Sequence, residues 1–204
     1  LGLLGNRKAL PVLEQAKKDN DTLVRQNAEA AITMLTKLQE SKITTPQDKL
    51  ESENLSSKGW QLWRERKLFE AEEVFSEAVE LDPANENAWQ GLGWAQLNQG
   101  KKLNAKHSFE KCVELNPSNS AALNGLGWIA RGQGSDGQAV QWWLKAVKAS
   151  KGTATASLAG LTEVYMERAE YEKAEKYYKM WLKAEPENEQ AKQGLKNVTN
   201  MLKK

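Results

Sequence analysis

The segment that decides the fold begins with Trp89-Gln90-Gly91-Leu92-Gly93 and continues through Ala105 and Phe109 to Pro117. Its pattern occurs four times along the chain, at intervals of 34, 34 and 35 residues. A repeat of this length is too short to close its own core, so it must stack on its neighbours to form a solenoid. The equivalent residues of the four copies are Gly59, Ala71, Phe75 and Pro83; Gly93, Ala105, Phe109 and Pro117; Gly127, Ala139, Trp143 and Lys151; and Thr162, Ala174, Tyr178 and Pro186.

Each copy has the pattern of two helices joined by a turn. In the second half of a copy, as over residues 105–113, apolar residues recur at i, i+4 and i+7 or i+8, which is one stripe of a helix. The prolines end these helices, because the residue before a proline is disfavoured in the helical conformation. Asn85, Asn119 and Asn188 each stand two residues after such a proline, where the next helix needs an N-cap. The sequence therefore predicts an all-α fold.

This pattern resembles the tetratricopeptide repeat, a helix–turn–helix unit of 34 residues. The family's tyrosine three positions after the glycine is kept only in the last copy, as Tyr165. The resemblance implies a right-handed superhelical α-solenoid with a concave groove. It places the four copies at 52–85, 86–119, 120–154 and 155–188, within a repeat domain over 46–188, and a capping helix over 189–204. We expect the bulky Trp181 to fill the space beside Ala191 and Gly194.

The first part of the chain follows another pattern. Residues 3–13 and 19–32 resemble a short HEAT repeat of the type found in phycobilin-lyase-like proteins, with a Leu-Gly ending, a proline in the first helix and a Val-Arg pair before an Ala-rich helix. The resemblance implies a HEAT-like segment over 1–45, and we expect the native protein to extend further toward its N-terminus. Thr45, Pro46 and Asp48 predict that a new helix starts at the junction.

Composition limits the classes of partner. The chain has 29 basic and 27 acidic residues, a net charge of +2, without the basic excess typical of proteins that bind nucleic acid or anionic membranes. No apolar run approaches the roughly 18–20 residues of a transmembrane helix, so we expect a soluble protein without membrane insertion. One cysteine excludes an internal disulfide and leaves the compartment open.

Residues that could support catalysis are few. Cys112 stands at a small position of its repeat and is predicted to be a buried core residue, whereas His107 is predicted to lie on the surface. Residues 132–137 match the dinucleotide-binding fingerprint by letter, but that fingerprint requires a preceding strand, and a helix is predicted here. We therefore interpret them as a turn and expect neither an enzyme nor a bound cofactor or metal.

Tryptophan is unusually frequent, with eight in 204 residues, and Trp60, Trp94 and Trp128 directly follow the repeat glycine in three successive copies. In the tetratricopeptide family this position lies on the first helix and faces the groove, as do the positions four before it and three or four after it. The resemblance therefore implies a groove lined by Trp60, Trp63, Arg64, Gln90, Trp94, Asn98, Asn124, Trp128, Arg131, Glu163 and Glu167, together with Ser56, Leu97, Ala159 and Met166.

Two interpretations of these tryptophans remain open. They could fill space between adjacent first helices, or they could form an exposed row that binds a partner, since tryptophan is enriched at binding hot spots. A neutral aromatic row suits an extended or Pro-rich segment of another protein. A glycan stacked on the rings is an alternative, and so is a lyase-like or chaperone-like subunit. The sequence favours a non-enzymatic adaptor, with the other tryptophans packing in the core or on the convex face: Trp89, Trp142, Trp143 and Trp181.

Overall fold

A computed structural model describes residues 12–18, 21–40 and 44–203. Within these ranges every regular element is a helix and none is a strand, so the predicted all-α solenoid is confirmed. The chain divides into two compact units, Leu1–Asp48 and Lys49–Lys204. The long helices are α1 (Thr22–Glu40), α2 (Pro46–Arg64), α3 (Leu68–Leu81), α4 (Glu86–Asn98), α5 (Lys102–Leu115), α6 (Ser120–Gly132), α7 (Asp136–Ala149), α8 (Thr155–Glu167), α9 (Tyr171–Ala184) and α10 (Glu189–Leu202).

The first unit contains α1, whose Ala28 is buried while Leu23 is exposed. Residues 1–11 and 19–20 of the HEAT-like pattern, including its Leu-Gly ending, lie outside the described residues. The predicted helix start at the junction is confirmed. The Asp48 N–H donates to Thr45 Oγ1 at 3.1 Å, and the Thr45 N–H donates to Asp48 Oδ2 at 2.9 Å. This reciprocal pair is a capping box, and it positions the first turn of α2.

The second unit is a stack of helix pairs, α2–α3, α4–α5, α6–α7 and α8–α9, followed by α10. From α4 to α9, each helix packs against the helix that precedes it and the helix that follows it in the chain. The first helices of successive pairs also contact one another, α4 with α6 and α6 with α8. Successive second helices in the described part make no comparable contact. The first helices therefore form one layer and the second helices form the other.

In α3, α5 and α7, one aromatic ring of the second helix wedges between two first helices. Phe75 lies against Gly59 of its own repeat and Gly91 of the next. At each of these glycines a Cβ would come closer than 3.0 Å to a ring atom, so only glycine lets the helices approach this far. The same arrangement joins later repeats through Phe109 with Gly93 and Gly125, and through Trp143 with Gly127 and Gly160. The rings of Phe75, Phe109 and Trp143, here called the wedge rings, are fully buried.

The three predicted asparagine N-caps are confirmed. Oδ1 of Asn85, Asn119 and Asn188 accepts a hydrogen bond from the backbone N–H three residues further on, at 2.8 to 3.0 Å. The side-chain amide of Asn119 also donates to Gln90 Oε1 at 2.8 Å, and that of Asn85 donates to Ser52 Oγ at 2.7 Å. Asn85 and Asn119 thus fix the start of one first helix and tie it to the preceding first helix.

The expectation that Trp181 lies beside Gly194 was wrong. The ring beside Gly194 belongs to Tyr178, because Tyr178 holds the wedge position of its repeat. Trp181 is buried and stacks on Tyr178, with ring centroids 6.4 Å apart, and its indole N–H donates to Glu185 Oε2 at 3.0 Å. Trp181 is therefore a core residue one layer behind the wedge.

The predictions for Cys112, His107 and the turn at residues 132–137 are confirmed. Cys112 is fully buried, and burial raises the pKa of its thiol to about 12, with Glu86 adding to the effect. His107 is exposed and lies edge-to-face with Trp89, 6.1 Å between ring centroids. The turn between α6 and α7 contains Gly134 at a φ of 74°, so the GxGxxG letters belong to a helix–helix turn. No helix in the described ranges has the length and apolar character needed to cross a bilayer.

Candidate binding face

Trp60, Trp94 and Trp128, here called the tryptophan row, hold the same position in three successive repeats. Each packs edge-to-face on the wedge ring of its own repeat, on Phe75, Phe109 and Trp143 respectively. The ring centroids are 5.3, 5.2 and 5.1 Å apart, with interplanar angles of 75°, 72° and 69°. All three tryptophans are half-buried. One side of each indole therefore packs on the core, and another side remains open.

The indole N–H groups of the row differ in their partners. Trp60 Nε1 donates to Asn87 Oδ1 of the next repeat at 2.9 Å. The residue equivalent to Asn87 one repeat later is Ala121, which has no acceptor in its side chain. Trp94 Nε1 and Trp128 Nε1 make no hydrogen bond to any residue that the structure describes, and neither is among its buried polar atoms without a partner. Both donors are therefore open to solvent.

The predicted neighbours of the row are open to different degrees. Arg64 and Asn98 are exposed. Trp63 packs edge-to-face on Trp60 at 5.7 Å, and its indole nitrogen is buried without a partner. Gln90 is half-buried, and its Oε1 accepts the hydrogen bond from Asn119. Arg64 and Asn98 are thus the two of these four residues that a ligand could reach freely.

Two residues that were expected to line the groove are buried. Asn124 is 7% exposed, and its Oδ1 accepts a hydrogen bond from Ser157 Oγ of the next first helix at 3.0 Å. Ser56 is fully buried, and its Oγ donates to the carbonyl of Ser52. The position four residues before the row faces the neighbouring first helix in these two repeats. These side chains therefore hold the stack together and are closed to a ligand.

Charged residues close the far end of the row. Arg131 Nη1 lies 2.6 Å from Asp136 Oδ1, and Nη2 lies 2.5 Å from Glu167 Oε1 and 3.9 Å from Glu163 Oε1. The hydrogen bonds to Asp136 and Glu167 raise the pKa of the Arg131 guanidinium above its usual range. Three carboxylates thus surround one guanidinium, so this end of the row is the acidic one.

The arrangement suits binding more than catalysis. Within the described ranges, no group of three or more His, Cys, Asp or Glu side chains could hold a metal ion. The tryptophan row offers apolar ring surface and two available hydrogen-bond donors, the indole N–H groups of Trp94 and Trp128. Sequence reasoning missed Asn87, which accepts the indole N–H of Trp60, and Ala121, which offers no acceptor at the equivalent position after Trp94. The detectable signal was a polar residue 27 positions after Trp60 and an alanine 27 positions after Trp94.

Comparison with known proteins agrees with this geometry. Residues 91–154, which carry two of the wedges and two members of the row, match the family model of the tetratricopeptide repeat. The family match is therefore shown for residues 91–154, the part of the stack from α4 to the turn before α8. Proteins built from these repeats are typically non-enzymatic scaffolds for protein–protein interaction. No curated protein matches the sequence.

Solved structures of several proteins share the fold of this chain. PilF of Pseudomonas aeruginosa is 15% identical with a TM-score of 0.69, over 76% of this chain and 71% of its own. MamA is 18% identical with a TM-score of 0.60, over 82% of this chain and 96% of its own. YrrB, described as having an unusual peptide-binding site, is 17% identical with a TM-score of 0.57, over 73% and 76%. At these identities the likeness shows the fold alone.

Proposed function

We propose that this chain is a non-enzymatic adaptor that binds an extended segment of another protein along the tryptophan row. The observation that carries the proposal is the similar packing of three indoles in successive repeats, each packed on one side and open on another. The repeated pose places equivalent apolar surfaces along adjacent first helices. An extended peptide, which repeats at a regular interval itself, is the ligand that can contact all of them.

The residue types support a binding role. Tryptophan gives a large, rigid contact area with one polar group, which is why it is enriched at binding hot spots. The exposed residues beside the row, Arg64 and Asn98, could form a polar rim. Among the residues first placed in the groove, Trp63, Gln90, Arg131, Glu163 and Glu167 belong to the edges of this face.

We further infer the arrangement around the repeats. Residues 1–45 would form a HEAT-like segment, residues 46–188 the four repeats and residues 189–204 the cap. The structural feature that supports this division is the break between the two compact units at Asp48, close to the capping box of α2. The adaptor function is assigned to the repeats alone.

The proposal is tested with an array of random dodecapeptides, probed by the wild-type protein and by two variants. For the array peptides that the wild-type protein binds, Trp94→Ala should weaken binding by about 2 kcal/mol or more, as expected for a central hot spot. Trp142→Ala is the matched control, because Trp142 is also half-buried but lies on α7, outside the row. It should keep the wild-type affinities.

Stability measurements separate binding from folding. Trp94→Ala should cost less than the 3–5 kcal/mol typical of a fully buried tryptophan, whereas Trp143→Ala should fall in that range because Trp143 is fully buried. The proposal fails if Trp94→Ala retains the peptides, if Trp142→Ala loses them equally, or if oligosaccharides bind and no peptide does.

A further inference from the structure

We infer that the segment bound along the tryptophan row is a polyproline II helix whose carbonyl groups accept hydrogen bonds from the indole N–H groups of Trp94 and Trp128. This inference rests on the proposed function and narrows its ligand to one backbone conformation and one composition. Three independent features of the row support it: the hydrogen-bonding character of its open groups, the spacing of the repeats and the apolar ring faces.

The open polar groups of the row are donors. Trp94 Nε1 and Trp128 Nε1 lack partners among the described residues, whereas Trp60 Nε1 is already paired with Asn87. A proline-rich segment has the complementary character, because proline has a carbonyl acceptor and no backbone N–H. In a polyproline II helix no carbonyl is used internally, so each remains available to an outside donor. Other peptides would bring N–H groups, and the row offers them few free acceptors.

The spacing of the first helices matches the pitch of this conformation. α4 and α6 contact each other directly, and the axes of packed helices lie about 8–10 Å apart. Polyproline II advances about 3.1 Å per residue with three residues per turn, so one turn covers about 9 Å. A ligand that crosses the helices therefore advances about one turn per repeat and presents the same face to Trp94 and Trp128.

A β-strand ligand would not meet this requirement. Its side chains alternate between opposite faces at about 3.3 Å per residue. Three residues of strand cover the same distance, so residues that contact Trp94 and Trp128 would point to opposite sides. The polyproline II helix also keeps prolyl rings on the indole faces, and its rigidity lowers the entropic cost of ordering the ligand. The repeat spacing thus favours a proline at every third residue.

The probe is nonaproline, which has about three turns of this helix, followed by intrinsic tryptophan fluorescence. Nonaproline should bind, and a Gly-Ser peptide of equal length should not. Trp94→Phe keeps an aromatic ring on Phe109 but removes the indole N–H donor. It should lower the affinity for nonaproline about three- to tenfold, which corresponds to the loss of one neutral hydrogen bond. Trp60→Phe should weaken it less, because the Trp60 donor is already held by Asn87.

Ala121→Asn is a second, independent variant. It places an amide acceptor where Asn87 stands one repeat earlier, so it should close the indole of Trp94 and lower the affinity by the same factor. Asn87→Ala removes the acceptor that holds Trp60 and should strengthen nonaproline binding. Urea unfolding of each variant shows that it is folded. Trp142→Ala again serves as the folded control with wild-type affinity.

The outcomes distinguish this inference from the proposed function. If array peptides bind through Trp94 but nonaproline does not, the polyproline II inference is overturned and the adaptor function stands. If nonaproline binds with equal affinity to the wild type, Trp94→Phe and Ala121→Asn, the donor assignment is overturned. If neither array peptides nor nonaproline bind, both proposals fail.

Discussion

A glycine in the first helix and an aromatic ring in the second act together in every repeat junction from Gly59 to Gly160. The wedge ring sets the distance between first helices, and the row tryptophan of the same repeat packs edge-to-face on it. This pairing was visible in the sequence as a recurrent spacing. The state of the Trp60 indole N–H was not, because it depends on Asn87, which lies 27 residues away across the repeat boundary. The burial of Asn124 escaped sequence reasoning for the same reason.

The wedge makes a residue-scale prediction about glycine. Gly91→Ala should lower the free energy of unfolding by at least about 1 kcal/mol, because its Cβ would overlap the buried Phe75 ring. Gly137→Ala is the control: nothing lies within 4 Å of a Cβ there, and alanine should raise the free energy of unfolding by about 0.4–1 kcal/mol because it restricts the unfolded chain. Urea unfolding measures both, and equal effects of the two substitutions would contradict the wedge.

Cys112 makes a prediction about reactivity. The thiol is fully buried and its pKa is raised to about 12, so the nucleophilic thiolate is scarce and inaccessible. A maleimide reagent at neutral pH should label the native protein slowly and the urea-unfolded protein fast, with Cys112→Ala as the blank. Fast native labelling would place the residue on the surface.

The pKa of Cys112 also has a consequence for stability. Because the folded pKa is raised, the native state holds this proton more tightly than the unfolded chain. The contribution to stability is complete below the unfolded pKa and is lost as the pH rises through about 12. The stability of the wild type relative to Cys112→Ala should therefore decline as the medium becomes more alkaline.

At the scale of the helix, the first residues of the helices were easier to predict from the sequence than the contacts between helices. Asn85, Asn119 and Asn188 could be identified as N-caps from the sequence, because capping depends on a few neighbouring residues. The partner of Gly194 was assigned to the wrong ring, because that choice depends on how α9 turns its face to α10. The third junction also departs from the others. Lys151 takes the place of the proline with a φ of 55°, and Ala154, the N-cap residue of α8, offers no side-chain cap.

The dual role of the cap predicts a large effect at Asn119. Asn119→Ala removes the acceptor for the Ala122 N–H and the donor to Gln90, so it should lower the free energy of unfolding by about 1–2 kcal/mol. Asn104→Ala, on the exposed face of α5, should change it by no more than about 0.5 kcal/mol. Equal effects in urea unfolding would show that the tie between first helices is not significant.

At the scale of the repeat stack, the two layers have different tasks. The second helices supply the wedges, and the first helices lie side by side and carry the row. α10, the last helix that the structure describes, buries Ala191 and Val198 and leaves Met201 and Leu202 exposed. The architecture followed from the repeat period alone. The binding face did not, since a half-buried tryptophan has the same sequence signature whether it only packs or also binds.

The measurement that tests the binding role of the row most directly is the ¹H–¹⁵N spectrum of the indole groups during titration with a peptide retained on the array. Each of the eight tryptophans contributes one indole signal, which the Trp→Phe variants assign. The peptide should shift the signals of Trp94 and Trp128 and leave those of Trp63 and Trp143 in place, because the latter two nitrogens are buried. A saturating peptide that leaves Trp94 and Trp128 unshifted would contradict the account.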